Sequence, residues 1–365
     1  MNKFSKFKGA KVLITGHTGF KGTWLTLWLT QLGAIVHGVS LGLPTEPSHF
    51  AAAELATCVR DHRLDIRDGL ALKTLIEDLQ PDFVFHLAAQ ALVRRAYADP
   101  LETWQTNLIG TINLLESLRT IKKSCVAVLI TSDKCYDNVE WVWGYRETDS
   151  LGGPDPYSAS KGAAELAIRS YVRSFISENA NVRIGVGRAG NVIGGGDWAD
   201  DRIVPDCVRA WAAGDIASLR NPSATRPWQH VLEPLSGYMS LAIALKEKAS
   251  LHGEAFNFGP STNHNLSVAD LVDSMAIHWD QVRWEDISNQ NDGPYESGLL
   301  KLNCDKALHL LQWQATWNFD ATVRETVLWY REYYVRPSSS IIDFSTRQIA
   351  TYVQAAKKQG IKWAL

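Results

Sequence analysis

Short apolar runs alternate with longer amphipathic stretches through the first half of the chain. Residues 11–15 (KVLIT) and 126–130 (VAVLI) are almost entirely apolar, which is typical of strands buried on both faces of a parallel sheet. The predicted strands are 11–15, 35–40, one closing at 63–66, 82–87, 126–130 and 182–186, with helices between them over 23–32, 73–79, 103–118 and from residue 155 onward. This alternation predicts the α/β class with a doubly wound parallel sheet.

The second half of the chain has a different pattern. A loop-rich stretch beginning at residue 189 predicts an excursion from the sheet, and residues 256–259 (FNFG) predict a strand that returns to it. Amphipathic helices are predicted over 266–277 and 320–334. We therefore expect a first domain over 1–188 with a returning segment at about 228–258, a smaller mixed α/β lobe from 189–227 and 259–340, and a helical extension over 341–365.

Three glycines follow the first predicted strand and precede a predicted helix. Gly16, Gly19 and Gly22 have the spacing that permits a tight turn, close backbone approach to a pyrophosphate and close helix packing. The helix N-terminus would then point at the phosphates. In this context the motif predicts a dinucleotide-binding domain of the Rossmann type, with His17, Phe20 and Lys21 at the same loop.

The end of the second strand bears on the choice of dinucleotide. It carries Ser40 where an acidic residue usually holds the adenine ribose of NAD, and no arginine that could hold a 2'-phosphate follows before Arg60. NAD is therefore favoured over NADP by default. The predicted cofactor contacts are Gly16, His17, Gly19, Phe20, Lys21, Gly22, Ser40, Asp65, Ile66, Leu87, Ala88, Ala89, Gln90, Thr106, Tyr157 and Lys161.

Candidate catalytic groups follow the fifth strand and begin the next helix. Asp155 and Pro156 predict a helix start that places Tyr157 and Lys161 four residues apart on one face. A nearby ammonium favours the phenolate, so we expect the pKa of Tyr157 to lie below its ordinary value. Parallel strands bind ligands at their carboxyl ends, which predicts that Ser132, Asp133 and Lys134 open into the same cleft.

Composition narrows the classes of partner. The net charge of -2 over 365 residues argues against nucleic acid and anionic membranes, and no long apolar segment occurs. The five cysteines show neither metal-ligand nor disulfide spacing, so we expect no metal and a cytoplasmic location. An anionic ligand must then meet local cations, and the predicted substrate contacts are Asn191, Arg202, Arg220, Arg226, His230 and Tyr295.

The strings GHTGFKG, HLAAQ, TSDKCYDN and YSASK, in this order, resemble the extended short-chain dehydrogenase/reductase superfamily. Within it, the stretch from TSDK to YSASKG resembles the CDP-glucose 4,6-dehydratases, which begin 3,6-dideoxyhexose synthesis for lipopolysaccharide O-antigens. The resemblance implies dehydration of CDP-glucose through bound NAD and a homo-oligomer, dimer or tetramer. It implies a redox triad of Ser132, Tyr157 and Lys161 and a dehydration pair of Asp133 and Lys134.

Three alternatives stay open from the residues. Another nucleotide-hexose 4,6-dehydratase or a 4-epimerase would share the glycine loop and the triad, but Asp133 has no purpose in an epimerase beyond a loop contact. A non-catalytic cofactor sensor would have no reason to keep Ser132, Tyr157 and Lys161 together. The related dTDP-glucose dehydratases have a glutamate where this chain has Lys134, so Lys134 is either the C5 base or a charge that polarises the enolate.

Overall fold

The computed structural model describes residues 3–176, 181–260, 266–280, 282–290, 298–336 and 338–365. Its strands are β1 (Lys11–Thr15), β2 (Ile35–Ser40), β3 (Arg60–Arg63), β4 (Phe83–His86), β5 (Cys125–Ile130), β6 (Val182–Arg188), β7 (Val192–Ile193), β8 (Ala217–Leu219), β9 (Thr225–Arg226), β10 (Gln229–His230), β11 (Ala255–Asn257), β12 (Leu266–Ser267) and β13 (Trp284–Asp286). Seven of them form one parallel sheet in the order β11-β6-β5-β4-β1-β2-β3. The predicted doubly wound sheet is confirmed.

The helices cover both faces of this sheet and build the second lobe. They are α1 (Phe20–Gln31), α2 (His49–Ala52), α3 (Gly69–Leu79), α4 (Val93–Ala98), α5 (Pro100–Trp104), α6 (Gly110–Leu118), α7 (Pro156–Tyr171), α8 (Ile203–Ala213), α9 (Leu232–Glu247), α10 (Val268–Ala276), α11 (Asp305–Leu311), α12 (Phe319–Val335) and α13 (Ile341–Lys358). π-helical turns at Gln105–Ile109 and Val172–Ile176 continue α5 into α6 and extend α7. None of the described helices is long and apolar enough to cross a membrane.

Side-chain alternation divides the interior between the two faces of the sheet. On β4, Phe83 and Phe85 join the cluster that α1 and α9 cover, while Val84 joins the cluster under α3, α6 and α7. On β1, Leu13 also belongs to the second cluster, and it is fully buried. Burial on both faces explains why these strands have apolar sequences without polar alternation.

Two predicted elements differ from the structure. The third strand occupies Arg60–Arg63 instead of closing at 63–66, because its pairing with β2 ends where Arg63 meets Ser40. Asp65 then forms a turn in which its carboxylate accepts from the Arg67 backbone at 2.8 Å. The helix expected over 103–118 is one continuous path, but the π-turn Gln105–Ile109 interrupts its α-helical hydrogen bonding.

The later segments connect back to the first lobe. α9 and β11 return to the sheet, where β11 pairs with β6 at the edge. The end of the chain packs against its start and against α1. Trp363 stacks on Phe4 with ring centres 4.9 Å apart and contacts Trp28 edge-on. The short ladders β7/β10, β8/β13 and β9/β12 lie outside the main sheet. The domain boundaries given above remain a prediction.

Candidate active site

The glycine loop is shaped to admit a phosphate-bearing ligand. Gly16 has φ +76°, and a Cβ on it would lie 2.7 Å from the Ala88 nitrogen. A Cβ on Gly22 would lie 2.0 Å from the Gly16 carbonyl oxygen, so only glycine permits this crossing of loop and helix. The loop leads into α1, whose N-cap Gly19 supplies no side-chain cap, leaving the amide end of the helix open to an anion. These features fit a dinucleotide pyrophosphate.

His17 lies beneath the loop and does not line the phosphate path. Its ring is fully buried in the space left by Gly38, where a Cβ would approach to 2.2 Å. Nδ1 lies 3.0 Å from the Ser40 hydroxyl and Nε2 lies 3.1 Å from the Asp61 carboxylate, while burial lowers the pKa of the imidazole. The ring of His17 therefore has no surface open to a ligand, and a contact of this residue with the cofactor stays a prediction.

Two lysines, Lys161 buried and Lys21 half-buried, carry charge near the site. Burial and then the charge of Lys21 lower the pKa of Lys161 to about 8. The pKa of Lys21 is also lowered to about 8, by burial and then by the charge of Arg202. Because the charge of Lys21 acts on Lys161, the first turn of α1 lies near α7.

Ser132, Asp133 and Tyr157 form one contact group, as predicted. The Ser132 hydroxyl donates to Asp133 Oδ1 at 2.9 Å, and Ser132 lies near enough to the Tyr157 phenol to lower its pKa. Asn191, a predicted substrate contact, donates to Asp133 Oδ2 at 3.2 Å. Asp133 is only 3% exposed, and Gly190 is required beside it because a Cβ there would lie 1.8 Å from Oδ2.

The pKa of Tyr157 moves opposite to expectation. Burial raises it to about 12, and the neighbouring Ser132 and the charge of Arg202 offset only part of this increase. Lys161 Nζ lies 5.9 Å from the phenol ring centre, yet burial weakens the charge of Lys161 itself. Desolvation therefore outweighs the groups that would stabilise the phenolate.

Lys134 is the one predicted catalytic residue whose side chain is exposed, and its part in the site stays a prediction. It occupies the middle of the turn Asp133–Cys135, in which Asp133 and Cys135 are buried. Its backbone amide donates to the Ser132 hydroxyl at 3.2 Å, which fixes the turn.

An ion pair that the sequence did not reveal supports the group. Arg188 at the end of β6 contacts Glu165 on α7 through two hydrogen bonds of 2.7 Å, and both side chains are almost completely buried. Thr131, next to Ser132, donates to the same carboxylate at 2.6 Å. Because Glu165 lies one turn beyond Lys161, this pair fixes α7 against the ends of β5 and β6.

Asn107 supports the site from the π-turn in the helix before β5. Its amide nitrogen donates to the Gln90 carbonyl at 3.0 Å and to the Ser160 hydroxyl at 2.9 Å. Its amide oxygen accepts from the Gln90 backbone at 2.9 Å, which holds the exit of β4 against α7. The adjacent Thr106, a predicted cofactor contact, is half-buried.

Some of the other predicted cofactor contacts are half-buried, whereas the polar groups of others already form hydrogen bonds within the protein. Leu87, Ala88 and Ala89 are half-buried at the end of β4, while the Gln90 amide is used internally by Leu92 and Thr103. The Arg67 guanidinium donates to the Asp65 carboxylate at 2.8 Å, and this hydrogen bond lowers the pKa of Asp65. Ile66 is buried against Gly110, Ser40 is bonded to His17, and Phe20 is half-buried beside Gly194.

Arg202 and Arg220, two of the predicted substrate arginines, are ion-paired. Arg202, the N-cap of α8, contacts Asp197 at 2.8 Å, and its charge lowers the pKa of Tyr157. Arg220 contacts Asp201 at 2.6 Å, and Arg94 of the first lobe reaches the same carboxylate at 3.4 Å. Asp197 and Arg94, which take part in these ion pairs, were not predicted from the sequence because no local motif marks them.

The remaining substrate predictions have different outcomes. His230 is fully buried between Trp24 and Trp317, and burial lowers its pKa to about 3. Its assignment to the substrate is wrong, since it is a core residue of β10. Arg226 donates to the Gly298 carbonyl at 3.3 Å. Tyr295 lies outside the described residues.

A glycine loop opening onto α1, together with a tyrosine, lysine and serine at the ends of α7 and β5, defines an oxidoreductase site of the short-chain dehydrogenase/reductase type. The chain belongs to the GDP-mannose 4,6 dehydratase family, whose model matches residues 13–326. The family resemblance identified from the sequence is thereby confirmed.

Curated relatives and solved structures agree with this family. The chain is 44% identical to a CDP-glucose 4,6-dehydratase of Salmonella typhimurium, over 96% of this chain and 98% of the relative. It is 25% identical to a dTDP-glucose 4,6-dehydratase of Shigella flexneri, over 88% and 92%. DesIV, a dTDP-glucose 4,6-dehydratase of Streptomyces venezuelae solved with NAD and TYD bound, superposes with a TM-score of 0.71 at 23% identity, covering 88% and 97%.

A structure of UDP-glucuronic acid 4-epimerase from Bacillus cereus, in complex with UDP-glucuronic acid and NAD, has the same fold. Its TM-score is 0.75 at 22% identity, covering 89% of this chain and all of that one. Fold similarity of this kind does not separate dehydratases from epimerases. The distinction depends on the residues at the site.

Proposed function

We propose that this enzyme dehydrates CDP-D-glucose to CDP-4-keto-6-deoxy-D-glucose, an early step of 3,6-dideoxyhexose synthesis for O-antigens. The observation that carries the proposal is Asp133: a buried carboxyl group hydrogen-bonded to Ser132, which itself contacts Tyr157. The relative with 44% identity over nearly the whole chain supports the choice of CDP-glucose among nucleotide sugars.

The cofactor is NAD, which the Gly16 to Gly22 loop and Lys161 would hold; when bound it would supply a reversible hydride acceptor for the sugar. Tyr157 removes the proton of the 4-hydroxyl while Ser132 holds the oxygen in place. Tyr157 must be ionised for this step. Burial alone opposes ionisation, so the positive charges around the phenol have to assist it once the site is filled.

Dehydration uses the residues that follow β5. A 4-keto group acidifies the C5 proton, so that a base near C5 and an acid near the 6-hydroxyl can eliminate water. Asp133, entering as a carboxylic acid, protonates the departing hydroxyl, with Asn191 holding its second oxygen. Lys134 reaches C5 only if its exposed side chain rotates inward, and it acts there as the base or as a charge on the enolate.

The two roles of Lys134 predict different isotope exchange. If Lys134 is the base, Lys134→Met loses exchange of the C5 proton with deuterated solvent. If the lysine only stabilises the enolate, the variant exchanges slowly but measurably. Nuclear magnetic resonance of the sugar C5 position distinguishes the two results.

A 4-epimerase is the second candidate, and its fold relationship is equally strong. It would use Tyr157, Ser132 and Lys161 in the same way. It does not need an acid at C6, so the buried Asp133 held from two sides favours the dehydratase.

The quaternary structure belongs to the same proposal. Ile109 before α6, Leu166 on α7 and Phe175 on the π-turn after α7 are apolar and exposed by 43%, 47% and 48%. Pairing of these helices with those of a second copy would cover them, forming a two-fold homo-oligomer in the cytoplasm. A monomer in light scattering at micromolar concentration would contradict this assembly.

The substrate assignment is tested with a panel of CDP-, dTDP-, UDP- and GDP-hexoses. We expect CDP-glucose to yield a product with the alkali-induced ultraviolet absorbance of a 4-keto-6-deoxy sugar, and the other nucleotides to react poorly. Conversion of CDP-glucose to CDP-galactose without this absorbance would establish the epimerase instead. Preference for another base would correct only the nucleotide.

A further inference from the structure

The end of β2 lacks the acidic residue that usually selects NAD over NADP. In a dinucleotide-binding sheet this point lies beside the adenine ribose, where an acid accepts from the 2'-hydroxyl of NAD and an arginine can hold the 2'-phosphate of NADP. Here β2 ends at Ser40, whose hydroxyl accepts from the Thr18 amide of the glycine loop at 3.4 Å. The Thr18 hydroxyl donates to the Gly42 carbonyl at 2.7 Å, so the end of β2 lies against the loop.

The neighbouring strand places an arginine at this point. In the parallel pairing of β2 with β3, Ser40 is the register partner of Arg63, the last residue of β3. Neighbouring strands lie about 5 Å apart. The Arg63 side chain is 41% exposed, so a ligand can reach its guanidinium. A cation here is what a 2'-phosphate requires, and only the pairing of the two strands reveals it.

Asp61 holds this arginine. It precedes Arg63 by two residues and therefore lies on the same face of β3. Asp61 Oδ2 accepts from the Arg63 guanidinium at 2.6 Å. Oδ1 lies 3.1 Å from Nε2 of the buried His17, whose Nδ1 lies 3.0 Å from the Ser40 hydroxyl. These contacts connect the carboxylate of Asp61 to the end of β2.

Asp61 is more enclosed than the acid that pairs with arginine in the second lobe. Its side chain is 18% exposed, against 39% for Asp201, and one of its oxygens faces the fully buried His17 ring. Asp61 therefore stays in place when Arg63 turns toward a ligand. A 2'-phosphate that approached Arg63 would meet this fixed negative charge, and the repulsion would offset the attraction of the guanidinium. A ribose 2'-hydroxyl is uncharged and meets no such repulsion.

We infer that Asp61 selects NAD over NADP, because it holds Arg63 and repels a 2'-phosphate. An acid on β3 thus replaces the acid that is missing from the end of β2. The inference concerns cofactor binding alone. Its test contains no nucleotide sugar, so failure of the proposed dehydration would leave the result unaffected.

The test compares the dissociation constants of NADP and NAD by calorimetry on the full-length protein. Asp61→Asn retains the shape of the side chain but removes its charge, which frees Arg63. We expect NADP to bind about tenfold more tightly than to the wild type and NAD affinity to change by less than about twofold. The gain should shrink at high salt, because Arg63 is exposed. Unchanged NADP affinity in Asp61→Asn would overturn the inference.

Two further variants assign the gain to these residues. When Arg63→Gln is combined with Asp61→Asn, NADP affinity should return to within about twofold of the wild type. A gain that persists would mean that another cation holds the 2'-phosphate, which would contradict the role of Arg63. Asp68→Asn, at the exposed N-cap of α3, removes one negative charge from the segment after β3 and should leave NADP affinity unchanged. An equal gain in this control would assign the preference to net charge and not to Asp61.

A second substitution at the same position keeps the test available if circular dichroism shows that Asp61→Asn does not fold. Asp61→Ser also removes the carboxylate, and its short side chain cannot hold Arg63. We expect the same increase in NADP affinity, with the same loss of the increase when Arg63→Gln is added. NADP binding as weak as in the wild type would contradict the inference.

Discussion

The two sides of the cleft hold their charged groups in different ways. On the sheet side, the Glu165 and Arg188 side chains are 4% and 3% exposed and fix each other through two hydrogen bonds of 2.7 Å. Where the second lobe meets the first, Arg220 and the first-lobe Arg94 share the carboxylate of Asp201, and the three side chains are 27% to 39% exposed. The buried pair is permanent, whereas the exposed arginines can exchange their acid for a ligand.

This difference separates chemistry from binding. Groups that transfer protons need fixed distances, which the buried contacts supply before any substrate arrives. A diphosphate needs cations that are free to approach it, and exposed ion pairs hold such cations at little cost in free energy. We therefore expect changes on the sheet side to affect rate and folding strongly, and changes at Asp201 to affect binding weakly.

The largest expected effect is on turnover in Tyr157→Phe. Without its hydroxyl the site lacks the group that removes the 4-hydroxyl proton, so kcat should fall by about two orders of magnitude or more. Folding and NAD binding, followed by circular dichroism and calorimetry, should be retained. Tyr171→Phe is the matched control on the same helix, where the phenol instead bonds Glu116, and it should keep its turnover. Near-native turnover in Tyr157→Phe would remove the tyrosine from the mechanism.

The next effect is on stability and compares a buried with an exposed ion pair. Glu165→Gln leaves the Arg188 charge buried without its counter-ion, which should lower the free energy of unfolding by about 3–5 kcal/mol. Glu116→Gln removes the partner of Arg119 at the surface and should cost about 1 kcal/mol or less. Urea unfolding of both variants gives the comparison. Equal losses would show that burial does not distinguish these pairs.

A third effect concerns a buried acid that no cation contacts among the residues the structure describes. Glu233 on α9 is fully buried and accepts from neutral donors: Tyr352 at 2.6 Å, Trp317 at 2.8 Å and Thr316 at 2.9 Å. Burial raises its pKa to about 7 from an ordinary 4.5. Between these values the folded state binds more protons than the unfolded state, so this group makes stability fall as pH rises from about 4.5 to 7.

The raised pKa of Glu233 corresponds to a loss of about 3 kcal/mol in the free energy of unfolding as the pH rises across that interval. Glu233→Gln cannot ionise, so its free energy of unfolding should not fall over this pH interval. At low pH the variant should be less stable than the wild type by about 1–3 kcal/mol, because an amide N–H then faces a backbone N–H donor. Unfolding measured at several pH values gives both quantities. If the variant and the wild type have the same pH dependence, Glu233 is not the titrating group.

The smallest effect is expected at the exposed acid. Asp201→Asn releases Arg94 and Arg220, so CDP-glucose should bind up to about fivefold more tightly, and less so at high salt. Asp206→Asn is a suitable control, because it removes the nearby pair of Asp206 with Arg209 and should leave affinity unchanged. Weaker binding by Asp201→Asn in calorimetry would mean that Asp201 positions the arginines instead of competing with the ligand.

Residues that depend on local motifs were predictable. The glycine loop lies where the strand and helix pattern requires it, and Ser132 and Asp133 meet Tyr157 because parallel strands end at one edge. The start of α7 follows from Asp155, which accepts from the Ser158 amide at 2.9 Å. Such features depend on neighbouring residues and on general sheet topology.

Features that depend on distant packing were not predictable. His230 has the sequence context of a polar loop, but Trp24 and Trp317 enclose it. Lys134 adjoins catalytic residues, and only the geometry of its turn directs it outward. The partnership of Glu165 and Arg188 connects residues 23 positions apart through the tertiary fold. Burial also reversed the expected pKa shift of Tyr157, because a sequence gives no measure of desolvation.

The most direct test of the account follows a single hydrogen atom of the substrate. CDP-glucose carrying deuterium at C4 is mixed with an equal amount of unlabelled CDP-glucose, and the product is examined by nuclear magnetic resonance and mass spectrometry. The account predicts a 4-keto-6-deoxy product in which the deuterium has moved to C6 of the same molecule. Deuterium retained at C4 of an inverted sugar, or lost to solvent, would contradict it.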